Sequence, residues 1–379
     1  MNILKIFSFI VPAACLTVFS CTDVEKLEID HVGGYNTMNN AESEAYYASL
    51  REYKDQIWNY GRPVAFGWFS DWAPQGVARK GYLSAVPDSM DIISMWSGAP
   101  DRYTITPEQK ADKEFVQKVK GIKLLEVSLL SHLGKGRTPE SVYTPLYEQA
   151  EKEGWSDAQL DEAKKLARWD FWGFTSHDLN NTEELKAAHT RFAKALCDSL
   201  VTNEWDGFDI DWEPGNGFND ADGTLANNPR ETELILHLVK EMGKYIGPMS
   251  DQEGKGHRLL CVDGQISVFT YNCPEYIDYF ILQSYGRVDD LNGYADPHKF
   301  ILTENFEKFA TTGGQLLEQA RYMPDEGYKG GVGAYRFTKD YDNTPDYKYM
   351  RKAIQENQRV FNEWKEKQNG NPGEGTDQQ

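Results

Sequence analysis

One stretch sets the terms for the whole chain: Asp206-Gly207-Phe208-Asp209-Ile210-Asp211-Trp212-Glu213-Pro214. Acidic residues at 209, 211 and 213 alternate with Ile210 and Trp212. That is the period of a β-strand, so the carboxylates share one face and the apolar side chains the other. Like charges at close range cannot all stay ionised. A chain accepts such crowding most readily where a raised carboxyl pKa is useful, as in a general acid. Two other readings compete. A half-exposed strand with a solvated acidic face fits poorly with Ile and Trp opposite, which imply burial, and Pro214 ends the strand just past Glu213. A metal loop places Gly and small polar residues between its ligands, where this chain has Ile and Trp. No metal and no cofactor is expected.

The rest of the chain supplies a frame for that strand. Its 379 residues allow one large domain or two ordinary ones. Strands are predicted at 64–69, 92–96, 123–129, 207–212, 258–262, 279–284, 300–306 and 332–337. Helices are predicted at 41–58, 107–119, 157–168, 183–201, 230–246, 309–320 and 346–367. Eight apolar strands separated by helical stretches fit parallel strands buried on both faces. The expected fold class is therefore α/β: a (β/α)8 TIM barrel, a single catalytic domain over residues 41–367, with reactive groups at the C-terminal strand ends. Glu213 stands at the end of the fourth strand, as that fold requires. A doubly wound open sheet is the alternative, but no Gly-rich phosphate loop follows any strand. The long span from Leu130 to Trp205 exceeds what one barrel helix needs and reads as an excursion at the mouth.

The net charge of −19 argues against nucleic acid as a partner. At the N-terminus, Lys5 precedes an apolar run from Ile6 to Phe19, too short for a comfortable membrane span, followed by Ser20-Cys21. Residues 1–20 resemble a bacterial lipoprotein signal peptide, with Cys21 the site of lipidation; an ordinary secretory signal is the alternative. The implied location is lipid-anchored at the bacterial outer membrane, on the cell surface. Residues 21–40 read as an acidic, Gly/Asn-rich tether and 368–379 as a disordered tail. Cys197, Cys261 and Cys273 sit in apolar surroundings and read as buried small hydrophobes, although a bridge between Cys261 and Cys273 stays open.

The run from Asp206 to Glu213 resembles the DGxDxDxE signature of glycoside hydrolase family 18 at every fixed position. The family includes chitinases, endo-β-N-acetylglucosaminidases and non-catalytic glycan-binding members. The resemblance implies substrate-assisted retention, in which the 2-acetamido group of the sugar attacks its own anomeric carbon. It implies Glu213 as general acid and then base, Asp211 as the residue orienting the acetamido group, and Asp209 as the group behind it that tunes its charge. Stacked carboxylates that push their pKa values apart supply the neutral acid and the negative charge such chemistry needs.

The sixth strand ends Gln283-Ser284-Tyr285. Gln283 and Tyr285 share a strand face. Tyr285 is similar to the family tyrosine that hydrogen-bonds the acetamido carbonyl. Chitinases typically carry Met two residues earlier, and endo-β-N-acetylglucosaminidases Asn or Gln. The eighth strand, Val332-Gly333-Ala334-Tyr335-Arg336-Phe337, lacks the floor Trp usual in chitinases, and Tyr335 is the candidate substitute. Phe66, Trp68 and Trp96 are further candidates for stacking on sugar, with barrel core as the alternative. Asp206 and His132 are candidates for contacting it, with a loop His of no special role the alternative for His132. The expected activity is cleavage of the β-1,4 bond in the GlcNAc-GlcNAc core of N-glycans. A chitinase and a non-catalytic glycan-binding protein are the alternatives.

Overall fold

The computed structural model describes residues 41–77, 79–96, 105–250 and 257–370. The signal segment, Cys21, the tether and residues 371–379 lie outside them. Eight parallel strands close into a barrel in chain order: β1 Val64–Phe69, β2 Ile92–Met95, β3 Lys123–Leu129, β4 Gly207–Trp212, β5 Leu259–Gly264, β6 Tyr279–Leu282, β7 Phe300–Asn305 and β8 Gly331–Tyr335. Helices are numbered in the same way: α1 Ala41–Asp55, α2 Pro107–Glu114, α3 Thr144–Glu153, α4 Asp157–Phe171, α5 Thr182–Thr202, α6 Glu231–Met242, α7 Ser267–Asn272, α8 Phe306–Phe309, α9 Leu316–Arg321 and α10 Lys348–Gly370. No membrane-length apolar helix occurs among the described residues.

Strand alternation divides the apolar residues between two cores. Phe66, Trp68, Ile92, Leu125, Cys261 and Ile301 point inward and fill the lumen. Phe208, Ile210, Trp212, Val262 and Phe280 point outward against the helices. Each fully buried Leu, Ile or Phe contributes about 1.5–3 kcal/mol, which makes both faces of every strand part of the stability of the fold. Gly207 is required by closure: a Cβ there would stand 2.2 Å from the Leu259 carbonyl oxygen of β5. Below the lumen, Ile57, Trp58 and Tyr60 pack upward from the segment after α1 and plug the N-terminal end. Cys197, Cys261 and Cys273 are all free and buried.

Several elements depart from the sequence-based expectation, among them β6, which ends at Leu282 and leaves Gln283 and Tyr285 just after the strand. The excursion before β4 is a helical hairpin, α3 and α4, where one helix was expected. α3 escapes a search for amphipathic periodicity because it buries no residue; Pro145 near its start and left-handed Gly154 at its end define it instead. Between β1 and β2 only short 3-10 turns occur among the described residues. Strand β5 runs two residues beyond the predicted end at Val262 and so takes in Asp263. At the C-terminus α10 continues through Gly370, past the boundary expected at 367.

Candidate active site

Asp209 and Asp211 project from β4 into the lumen, both buried. Their neighbours follow from the register. Asp211 pairs with Leu129 on one side and Asp263 on the other, and Asp209 pairs with Val127 and Cys261. Asp263 therefore faces inward beside Asp211, two buried carboxyls on adjacent strands. Glu213 follows one residue after β4 and is half-buried, open toward the mouth. Gly264 makes room for it. A Cβ at Gly264 would lie 2.9 Å from the Glu213 Cγ, and its φ of +83° is one that a side chain would strain.

Hydrogen bonds separate the roles of these acids. Asp209 Oδ2 accepts from Trp68 Nε1 at 3.0 Å and from the Ser94 hydroxyl at 2.7 Å. Gln283 Nε2 donates to Glu213 Oε1 and to Asp263 Oδ1, each at 2.8 Å. One amide thus ties the outermost carboxyl of β4 to the buried carboxyl of β5. Asp209 Oδ1, Asp211 Oδ1 and Asp263 Oδ2 have no hydrogen-bond partner.

Burial dominates the electrostatics. It pushes Asp209 up to about 6, against the hydrogen bonds from Ser94 and Trp68. Asp211 rises to about 8 through burial first, then the charges of Glu213 and Asp209. Asp263 is held well above the usual carboxylate range by burial and by Asp211 and Asp209. Burial and then Asp263 and Asp211 also raise Tyr285, so its phenol stays protonated and able to donate. Oxygens of Asp211, Glu213 and Asp263 lie within 4.8 Å of one another, the spacing of a chelate. A hard divalent cation, however, wants six or more oxygens, and Gln283 turns its N–H donors, not its carbonyl, toward Glu213 and Asp263. That donor set suits protons better than a metal.

Two family models cover most of the chain: residues 22–168 match glycoside hydrolase family 18, BT1044-like, and residues 163–334 match the endo-beta-N-acetylglucosaminidase EndoS TIM-barrel domain. The chain belongs to glycoside hydrolase family 18. Among solved structures, BT1044 superposes with a TM-score of 0.64 at 26% identity, over 86% of this chain and 96% of that one. An endo-beta-N-acetylglucosaminidase from Cordyceps militaris, in its apo form, gives 0.51 at 18% identity over 83% and 95%, a likeness of fold alone. A search of curated proteins finds no match. The protein is thus a family 18 glycoside hydrolase on a (β/α)8 barrel.

Not every residue singled out from the sequence joins the carboxyl group of this family 18 site. Tyr335 and Trp96 do stand at the mouth, half-buried, their rings 5.4 Å apart and edge-on. Tyr285 lies 6.1 Å from Tyr335, ring to ring. Trp68 is fully buried and holds Asp209, and Phe66 lies beneath it at 4.7 Å, so both are lumen core rather than sugar platforms. Asp206 sits at the opposite end of the barrel, where its Oδ2 accepts from the Leu124 N–H and Gln117 Nε2. His132 is buried, its Nδ1 hydrogen-bonded to the Ser131 hydroxyl at 2.9 Å. It lines a separate cavity of about 860 Å³ under the α3–α4 excursion, with Arg137, Arg168 and Asp220. Ser94 and Asp263 are the site residues that sequence reading missed. Strand parity would have found both, since Ser94 alternates with lumen-facing Ile92 and Asp263 with Cys261.

Proposed function

We propose that the protein is an endo-β-N-acetylglucosaminidase that cleaves the GlcNAc-GlcNAc core of N-glycans by substrate-assisted retention. The observation that carries this reading is the Gln283 bridge from Glu213 to Asp263. It sets an amide, rather than the Met typical of chitinases, beside the acid. The absence of a Trp on β8 and the match to the EndoS barrel model point the same way.

In this reading Glu213 donates a proton to the glycosidic oxygen as that bond breaks. The acetamido oxygen of the same sugar closes on the anomeric carbon to form an oxazolinium ion. Negative charge at Asp211 faces the developing cation and takes a hydrogen bond from the acetamido N–H. The Tyr285 hydroxyl donates to the acetamido oxygen. Water then adds to the anomeric carbon as its bond to the acetamido oxygen breaks and the acetamido group is restored. The water gives its proton to Glu213, and the stereochemistry is retained. Trp96 and Tyr335 form the apolar wall against which the sugar ring rests.

Export and acylation at Cys21 form part of the same proposal, supported by the sequence of residues 5–21. A cell-surface lipoprotein would meet glycoproteins before other enzymes of the cell. Labelling cells with a radioactive or clickable fatty acid should mark the wild-type chain and not Cys21→Ala.

The test of activity is comparison of glycoproteins with chitin oligomers as substrates. Release of intact glycans from glycoproteins at rates well above chitin-oligomer cleavage is the expected result. The reverse preference would replace this reading with that of a chitinase. Tight binding of glycans without turnover of either substrate would make it a glycan-binding member.

A further inference from the structure

One buried acid of the site, Asp263, has no role in the signature chemistry. It is buried at the end of β5, in register with Asp211, and outside the DGxDxDxE signature. Its Oδ1 accepts from Gln283, while its Oδ2 and the neighbouring Asp211 Oδ1 are both buried and without partners. Orphaned buried polar atoms are rare and call for an explanation. The two side chains are within hydrogen-bonding reach of each other. A single proton between them satisfies both orphans at once, and two adjacent buried anions could not persist without it.

We propose that Asp263 is a positioning residue that holds a shared proton against Asp211, so that the pair enters the reaction with one negative charge, presented by Asp211. This rests on the reading of Asp211 as the group facing the acetamido function. Asp209 also comes within hydrogen-bonding reach of Asp263. It stands in register with Cys261 rather than with Asp263, however, and its Oδ2 is already held by Trp68 and Ser94, so Asp211 is the nearer partner along the ladder. Other titratable groups facing the pair are Glu213 on the same side as Asp211, Cys261 below Asp263, Tyr285 after β6 and Tyr335 on β8. All of these are acids, so no facing cation replaces the proton. Gln283 completes the chain, and its link to Asp263 fixes the amide that also holds Glu213.

Asparagine is the permanent mimic of a protonated aspartate. Asp263→Asn can accept from Gln283 and donate to Asp211, whereas Asp263→Ala can do neither. Misplacement of the reacting groups in the alanine variant is expected to lower kcat by about 10²-fold with KM little changed. The asparagine variant should recover most of that loss. Its alkaline limb of kcat should move to higher pH, because the second ionisation of the pair is gone. Equal loss in the two variants, or an alkaline limb unchanged in the asparagine variant, would overturn the proposal.

A measurement free of turnover separates this from the assignment of substrate. Infrared spectra of the wild type at pH 7, with and without ¹³C-aspartate labelling, should show a protonated aspartic carboxyl. It should vanish in both Asp263→Asn and Asp211→Asn. No such band, or a band that survives Asp263→Asn, rejects the shared proton. A band that behaves as stated in a protein inactive on N-glycans leaves the pair standing and rejects the substrate reading.

Discussion

The two ends of this barrel bury carboxylates in opposite ways. At the N-terminal end, Asp91 receives Arg62 through both guanidinium nitrogens at 2.9 and 2.6 Å, the Ala65 N–H at 2.8 Å, and Lys54 at 3.6 Å. At the C-terminal end, Asp211 and Asp263 are as deeply buried, with each other, Glu213 and Asp209 as acidic neighbours. Burial alone would raise all three. At Asp91 it is outweighed by Arg62 and Lys54, which hold the carboxyl below its ordinary range. At Asp211 and Asp263 nothing opposes it strongly enough. One end spends its charges on holding the fold, and the other keeps protons where chemistry needs them.

The comparison breaks most sharply at Glu213. Glu213→Gln should lower kcat by about 10²–10⁴-fold, the typical contribution of a general acid. Its melting temperature should stay close to that of the wild type, and glycan binding should survive. Turnover equal to wild type would remove Glu213 from the chemistry.

At the other end, Asp91→Ala leaves Arg62 buried without its partner. Denaturant titration should show a loss of about 3–5 kcal/mol, while kcat per folded molecule stays near wild type. A large change in kcat there would mean that the two ends are not independent.

Tyr285→Phe should show a smaller effect. Loss of one hydrogen bond to a charged intermediate, about 1.5–3 kcal/mol, corresponds to roughly 10- to 150-fold in kcat/KM.

Stability against pH should run in opposite senses at the two ends. Asp91 has a lowered folded pKa, so its contribution is present above the unfolded carboxyl pKa and is lost as acid protonates the folded state. The pair at the C-terminal end has a raised pKa, with Asp211 at about 8. The folded state there retains a proton that the unfolded chain has released, so stability declines as pH rises from about 4 toward 8, by about 1.4 kcal/mol per pH unit for each proton retained. Asp211→Asn should flatten that decline and make the variant the more stable protein at pH 8. A parallel decline in variant and wild type would show that the proton is not held there.

The smallest effect belongs to Asp206→Asn. The asparagine can still accept from the Leu124 N–H and Gln117. Kinetics indistinguishable from wild type are expected, and a fall in kcat would contradict the placement of this motif residue at the structural end.

How much of this was legible in the chain follows from period and parity. The alternation Asp209-Ile210-Asp211-Trp212 reads directly as a strand with one acidic face, and the strand is there. The order of eight strands was equally visible, because parallel strands buried on both faces are apolar throughout. Asp263 was lost because an acid at the end of an apolar run looks like the end of the strand; parity with Cys261 shows its inward position once the strand is carried past Val262. Trp68 and Phe66 were legible as aromatics in a strand, with lumen core and sugar platform both open, since depth in the lumen is a property of the closed barrel. Asp206 shows the opposite error, a residue of the motif that lies at the far end of the strand from the acids. His132, expected at the site from its place just past the third strand, lines a separate cavity.

The central claim concerns one bond in one kind of substrate. Mass spectrometry of a high-mannose glycoprotein after incubation with the wild type tests it most directly. The account predicts a glycan released with a single GlcNAc at its reducing end and a protein that keeps one GlcNAc on each asparagine. Glycoprotein left intact while chitin oligomers are cut, or a protein stripped of both core sugars, would contradict it.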